Sequence, residues 1–406
     1  MSRRAAYLVL LAFAVRIAFM LGCDTYRFAG ADDYDQFGEA SSIARSIATG
    51  HGFASPFNAE YTGPTAWIAP VYPYLIAGLF KTFGVFSVGA ALALFTLQSL
   101  FSALTVLPIL GIARRTVGLR SGFLAAATWA VFPWFSKWAV TWMWEVSLSA
   151  LLFTAILWYA LELDLSSTWR WIGFGALCGF ALNVNPALLA APIVAGLWLL
   201  YRRVSIYDLG LAAVVAALLL TPWMIRNHEV FDRWVFLRGN FGFEFALGNY
   251  HDSFGRGWGG FHPTGSPREY NDYKRLGEPA YVAMKQREGL AFVRAYPLEF
   301  AELTARRISY FWDGSALGYR DPIASRWLPG SFGVFSFLLL FGLLAWKRTN
   351  AYGWQLVFGS LALYPLPYYL TYAQARYRHA VEPLMLLLVA YAVVRAYDVL
   401  VLRYRH

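Results

Sequence analysis

Charge is the first thing this chain has little of. Of 406 residues only 14% are Asp, Glu, Lys or Arg, where a soluble protein carries roughly 25%. Cysteine is almost absent. Cys23 and Cys178 lie far apart in apolar surroundings, which excludes a cystine framework and a thiolate metal cluster. The histidines His51, His228, His251, His262 and His379 are scattered and match no zinc-ligand spacing. They read as surface or packing residues, with His379 set apart by its charged neighbours. No Gly-x-Ser-x-Gly elbow occurs. The glycine-rich run Gly255-Arg256-Gly257-Trp258-Gly259-Gly260 lacks the Lys-Ser/Thr of a phosphate-binding loop and reads as turns. There is no solenoid-type repeat, low-complexity tract or Gly/Ser linker.

What is present is apolar and aromatic. The composition is 58% hydrophobic, with 32 Phe, 25 Tyr and 17 Trp, and the mean hydropathy is +0.45. Such a chain has the bilayer as its natural solvent, which excludes a soluble α/β enzyme and a disordered protein. The net charge of +10 would suit nucleic acid, but in a membrane protein it reports the basic loops that fix orientation. No nucleic-acid partner is expected; membrane lipids are.

The expected fold is an all-α polytopic membrane protein with about ten transmembrane helices, nine to twelve at the outside. Met1–Arg4 and Ala5–Gly22 could pass for a signal peptide, but Arg16 and the lack of a small-x-small cleavage site favour an anchor helix. Further apolar stretches are Val88–Ala113, Gly122–Trp134, Val146–Leu161, Trp171–Leu182, Ala187–Leu200, Leu209–Trp223, Ser331–Trp346, Tyr352–Leu370 and Pro383–Leu402. Basic groups fall between them at Arg3–Arg4, Arg114–Arg115 with Arg120, Arg202–Arg203, Lys347–Arg348, and Arg403 with Arg405. If these face the cytoplasm, both termini are inside. Trp67–Gly84, with Pro70, Pro73 and Lys81, then reads as an interfacial or re-entrant helix.

This scheme divides the chain into a transmembrane module over 1–225, whose first outer loop is 23–87, an outer segment over 226–330, and C-terminal helices over 331–406. The first outer stretch Cys23–Ala66 holds Asp24, Asp32, Asp33, Asp35, Glu39 and Glu60 against only two arginines. If Asp32–Ala48 is helical, Asp32, Asp35 and Glu39 fall at i, i+3 and i+7 on one face, with Asp33 pointing elsewhere. Stacked carboxylates repel one another, a cost that fits a base or a cation ligand; a solvated acidic face is the plainer alternative. Polar residues also recur at the outer helix ends: Lys137, Glu145, Asn183, Asn185, Arg226, Asn227, Arg376, Arg378, His379 and Glu382. Singly these are snorkelling anchors. Together they suggest an outward-facing site for a substrate with a lipid tail and an anionic head.

Several segments resemble the C-type superfamily of integral membrane glycosyltransferases, and most closely bacterial relatives of the protein O-mannosyltransferases and lipid A aminoarabinose transferases. They are Asp32-Asp33-Tyr34-Asp35 with Glu39 and Ile43–Phe53, then Gly63-Pro64-Thr65-Ala66-Trp67-Ile68-Ala69-Pro70-Val71-Tyr72-Pro73-Tyr74 with Phe83-Gly84. Arg114-Arg115, Pro222-Trp223 with Arg226-Asn227, and Arg376-Tyr377-Arg378-His379 follow in order. The first 120 residues carry the likeness, and the rest shares its layout. The resemblance implies a polyprenyl-phosphate sugar donor, an acceptor that is glycan, lipid or protein, and transfer with inversion on the outer face of a bacterial cytoplasmic membrane.

The relatives' paired Asp-Glu is here Asp32-Asp33 followed by Asp35 and Glu39, so the catalytic carboxylate is Asp33, Asp35, Glu39 or Asp32. The resemblance further implies that Arg226, Arg376, Arg378 and Lys137 hold the donor phosphate, and that Asn185, His379 and Glu382 contact substrate. No cofactor is required, although the acid cluster could hold a divalent cation. The rival readings are a transporter or flippase of lipid-linked sugars, a polysaccharide polymerase or ligase, and a structural membrane subunit.

Overall fold

A computed structural model describes residues 2–27, 34–57, 60–163, 167–257, 259–313, 331–349 and 352–403. The regular secondary structure of the described residues is helical, joined by turns and extended stretches, and their only β pairing is an isolated bridge between Ala54 and Pro64. The first part of the chain holds α1 (Arg3–Gly22), α2 (Tyr34–Ala48), α3 (Val71–Phe83), α4 (Val88–Leu104), α5 (Val106–Arg115), α6 (Leu119–Val131), α7 (Pro133–Lys137), α8 (Val146–Glu162), α9 (Thr168–Val184), α10 (Ala190–Tyr201) and α11 (Ile206–Phe231). The outer segment holds α12 (Phe241–Gly248), α13 (Pro267–Leu276), α14 (Glu278–Ala295) and α15 (Pro297–Asp313). The last part holds α16 (Ser331–Lys347), α17 (Trp354–Leu363), α18 (Leu366–Leu370), α19 (Ala375–Arg378) and α20 (Glu382–Arg403).

Local sequence explains many boundaries. Ser2, Ser87 and Ser205 cap α1, α4 and α11 by accepting a backbone amide from the first turn. Pro108 has no amide for the Leu104 carbonyl, so the run from Val88 breaks near Thr105 into α4 and α5. Asn185 ends α9 and accepts the Ala187 amide at 3.0 Å, opening the short turn at Pro186. In the outer segment Ser266 caps α13 ahead of Pro267, and Gly277 at φ 75° closes it.

Each expected apolar stretch is helical, and the chain is a multi-pass membrane protein. The expected count of about ten spans is not reached on length alone. Among the described residues four helices are long and apolar enough to cross a membrane: Arg3–Gly22, Val88–Arg115, Ile206–Phe231 and Glu382–Val401. Val146–Glu162, Pro186–Tyr201 and Gly333–Lys347 are apolar but shorter. α11 runs through to Phe231, past the boundary placed at 225.

Small residues bring helices together where lipid offers no hydrophobic incentive to associate. Gly175 and Gly179 of α9 lie against the backbone of Ala212 and Ala216 of α11. Arg16, fully buried in α1, donates to the Trp129 and Ala130 carbonyls at 3.0 and 3.2 Å and to Ser102 Oγ at 2.8 Å. The two carbonyls belong to the last turn of α6, so this cation caps a helix end and, among the described residues, is paired with no carboxylate.

A second apolar core sits under the outer segment, where Phe57, Trp67 and Tyr72 meet Phe243, Tyr273 and Tyr281. Polar clamps hold the extended stretch 53–68 there. Arg226 donates to the Thr65 and Phe53 carbonyls at 2.7 and 2.9 Å. Glu278 accepts from the Ala66 amide at 2.7 Å, from Tyr273 at 2.9 Å and from the Thr65 hydroxyl. Arg307 donates to the carbonyls of Gly248, Tyr369 and Leu370, tying α15 to the ends of α12 and α18.

Candidate active site

Three segments that are distant in sequence enclose a cavity of about 590 Å³. Its walls carry Glu39, Trp144, Glu145 and Asn185 from the first part, Arg238, Glu244 and His262 from the outer segment, and Tyr372, Arg376 and Tyr377 from the last part.

Gly38 shapes the first wall. It interrupts α2 with φ 58° and ψ −173°, and the Trp144 ring lies so close that a Cβ at Gly38 would stand 2.5 Å from it. Any side chain here would be strained by the backbone as well as by the ring. This break corrects the expected helical stripe. Asp35 and Glu39 sit on opposite sides of a non-helical residue, so the i, i+3, i+7 register does not hold through it. Asp32 and Asp33 lie outside the described residues. Asp35 lies in α2, and its side chain is outside the described set.

Glu39 is buried, and its Oε1 is 3.3 Å from Nε2 of His262. Burial pushes this carboxyl up, but the hydrogen bond and charge of His262, helped by Arg238, hold it at about 2. His262 stands among the rings of Phe57, Phe243 and Trp67. The reading of His262 as a scattered surface or packing residue is therefore corrected: it touches a candidate site carboxylate. Its spacing in the sequence carries no signal, because the contact spans more than two hundred residues.

Glu145 precedes α8 and receives a hydrogen bond from Asn185 Nδ2 at 3.2 Å. Burial pushes its carboxyl above the ordinary value, opposed by its own backbone amide and by Arg238 and Arg376. Arg238 is paired with Glu244 at 2.9 Å, and Tyr372 and Asn240 donate to the same carboxylate at 2.7 Å. Arg376 is half-buried. Its guanidinium lies over the rings of Trp144, Tyr377 and Trp142 at 4.8, 5.0 and 5.8 Å, and among the described residues no carboxylate lies within ion-pair distance of it. Its Nη2 donates to the Tyr377 hydroxyl at 3.4 Å, and a cation held otherwise by aromatic faces keeps its remaining donors for an anion.

The other sequence candidates sit elsewhere. Arg226 is spent on the carbonyls of Thr65 and Phe53 and lies over Trp223 at 4.9 Å. Arg378, His379, Glu382 and Lys137 form a separate buried cluster. There Glu382 accepts from Trp134 Nε1 at 2.9 Å, pairs with His379 Nδ1 at 2.8 Å and lies 3.5 Å from Arg378. Lys137 lies between Trp134 and Trp138, 4.6 Å from each ring, and burial draws its ammonium down to about 8. Of the eleven candidates the cavity thus gathers Glu39, Asn185 and Arg376 among the described side chains. Arg238, Glu244, His262, Tyr372 and Tyr377 were not legible beforehand. Glu145 was, as one of the polar residues at outer helix ends. No group of three or more His, Cys, Asp or Glu side chains suited to a metal ion occurs among the described residues.

No family model matches the chain, and no curated protein does. Solved structures do. The oligosaccharyltransferase of Archaeoglobus fulgidus in its apo form is similar with TM-score 0.55 and 15% identity, over 99% of this chain and 51% of that one. The archaeal oligosaccharyltransferase AglB from the same organism, in complex with an inhibitory peptide and a dolichol-phosphate, is similar with TM-score 0.53 and 15% identity, over 99% and 51%. ArnT from Cupriavidus metallidurans bound to undecaprenyl phosphate matches with TM-score 0.42 and 16% identity, over 96% and 78%. The chain spans about half the length of the oligosaccharyltransferase. At this identity the likeness is one of fold alone: the chain shares the fold of the oligosaccharyltransferase structures.

Proposed function

We propose that the cavity binds the head of a lipid-phosphate-linked sugar and that the protein transfers this sugar to an acceptor on the outer face of a bacterial cytoplasmic membrane, with inversion. The observation that carries the reading is the pairing, inside one cavity, of an arginine without an ion-pair partner among the described residues and carboxylates from two other segments. It is supported by the fold, since the similar AglB structure contains a dolichol-phosphate. The three shorter apolar helices, together with α6, α9 and the α17–α18 pair, complete a bundle of about ten spans in this reading, with both termini cytoplasmic.

In this mechanism the donor's tail lies between helices and its phosphate meets Arg376. The guanidinium stabilises negative charge as it builds on the leaving phosphate. A cavity carboxylate accepts the proton of the acceptor hydroxyl as that oxygen attacks the anomeric carbon. A single displacement needs one such base and gives an inverted product. Glu39 supplies an acidic wall of the site, Asp32, Asp33 and Asp35 are further proposed carboxylates of the same loop, and Asn185 orients one wall. Arg226 and the cluster of Lys137, Arg378, His379 and Glu382 act by holding the helices that present Arg376 and the first outer segment.

The test is transfer of radiolabelled sugar from a polyprenyl-phosphate donor by purified protein, beside Asp33→Asn, Asp35→Asn and Glu39→Gln. Label in an acceptor, lost in a variant that still binds donor, supports the reading. A folded protein that binds no polyprenyl phosphate overturns it and favours a transporter.

A further inference from the structure

Resting on the glycosyl-transfer reading, we propose that Glu145 is the catalytic residue that takes the proton from the acceptor hydroxyl. Its position argues for this first. Glu145 stands at the mouth of α8 on the cavity wall, and Glu39 and Arg376 line the same cavity. Among the described residues one other side chain donates to its carboxylate, Asn185 through Nδ2, besides its own backbone amide. That side-chain amide cannot turn away freely, because Asn185 Oδ1 is held by the Ala187 amide at 3.0 Å. A carboxylate on the cavity wall held by these neutral donors is placed to receive a proton.

The surroundings of the two cavity glutamates point the same way. Glu39 is engaged by His262 and stays ionised at about 2, so it gives little driving force for proton removal near neutral pH. Glu145 has no cation in hydrogen-bond contact among the described residues, and burial raises its proton affinity. A base works best when its affinity approaches the operating pH. Glu39 then acts as fixed negative charge opposite the arginines, and Glu145 as the group that changes charge.

The step balances. The acceptor O–H bond breaks and its proton passes to Glu145. The acceptor oxygen bonds to the anomeric carbon, the bond from that carbon to the phosphate oxygen breaks, and the phosphate leaves with the electron pair. The proton on Glu145 then returns to water.

The full chain in lipid nanodiscs is the material for the test, and the probes are labelled undecaprenyl-phosphate mannose and free undecaprenyl phosphate. Glu145→Gln should slow single-turnover consumption of the donor by roughly 10²–10⁴-fold while undecaprenyl phosphate binding is unchanged. The rise of rate with pH should vanish in Glu145→Gln, and Glu145→Asp should restore part of it. Asn185→Ala removes a donor to the charged form and should move the acid limb to higher pH. Infrared titration gives a readout without turnover: a protonated-carboxyl band should be lost in Glu145→Gln and kept in Glu39→Gln. A wild-type chain that consumes donor, beside Glu145→Gln with the same rate and pH profile, overturns this proposal alone. A carboxyl band unaffected by Glu145→Gln overturns it too. A wild-type chain that binds and consumes no donor overturns the glycosyl-transfer reading and this proposal together.

Discussion

Replacing His262 by phenylalanine separates the hydrogen bond to Glu39 from the ring packing around it. The Phe57 and Phe243 rings stand 5.3 and 5.4 Å from His262, so a phenyl ring keeps those contacts but loses Nε2 at 3.3 Å from Glu39 and Nδ1 at 2.7 Å from Thr264 Oγ1; the cycle with Glu39→Gln isolates the Glu39 part. In the wild type Glu39 is held at about 2 against an ordinary 4.5. At about 1.4 kcal/mol per pKa unit the gap corresponds to about 3 kcal/mol of stability. Because the folded-state value is depressed, this contribution is present above about pH 4.5 and fades as pH falls towards 2; its coulombic part needs an imidazolium and fades again as pH rises through the imidazole range. Without His262 the burial of Glu39 is left without its main compensation, so His262→Phe should cost about 3 kcal/mol near pH 5. The assay is a double-mutant cycle with Glu39→Gln, read by thermal unfolding of detergent-purified protein near pH 5 and at more acid pH. The expected coupling is roughly 1–3 kcal/mol near pH 5 and shrinks at the acid end. If His262→Phe costs as much in the Glu39→Gln background as in the wild type, the two groups are independent and the argument for a site built jointly by the first loop and the outer segment fails.

Three further outcomes are expected. Arg376→Ala should weaken undecaprenyl phosphate binding by roughly 10–100-fold, the loss of a charge-assisted contact, with the melting temperature little changed; binding kept at wild-type strength would remove Arg376 from the phosphate site. Gly175→Leu should prevent α9 from docking on α11, since even a Cβ would stand 2.3 Å from the Ala212 carbonyl; monodisperse, folded protein from this variant would contradict the packing. Arg307→Ala should remove a donor from the Tyr369 carbonyl and from the Gly248 and Leu370 carbonyls, which keep Ser253 Oγ and Asn249 Nδ2, and cost about 2–3 kcal/mol, seen as earlier proteolysis of the outer segment in a limited digestion.

Much of the helical layout was legible because it depends on local composition. The apolar stretches follow from composition within a few residues. The break at Pro108 inside Val88–Ala113 and the close approach of Gly175 and Gly179 to Ala212 and Ala216 were not read from the sequence, since nothing in the chain names those partners. The acidic character of the first outer loop was plain, but its helical stripe was not reliable. A regular helix was assumed through Gly38, where the backbone takes a positive φ under Trp144.

Composition and hydropathy by themselves determined that this is an all-α membrane protein, because the solvent that 58% apolar residues require is set by transfer free energy and needs no knowledge of partners. Which charges share a cavity was decided only by tertiary structure. Arg226, Arg376 and Arg378 look alike as cations at helix ends, yet one is consumed by carbonyls of the first loop, one faces the cavity, and one is buried beside Glu382. His262 meets Glu39, and Asn185 meets Glu145, across long stretches of chain. The physical reason is that electrostatic contacts act over a few ångströms in space and leave no periodicity in sequence, whereas helix formation and burial write theirs into every turn.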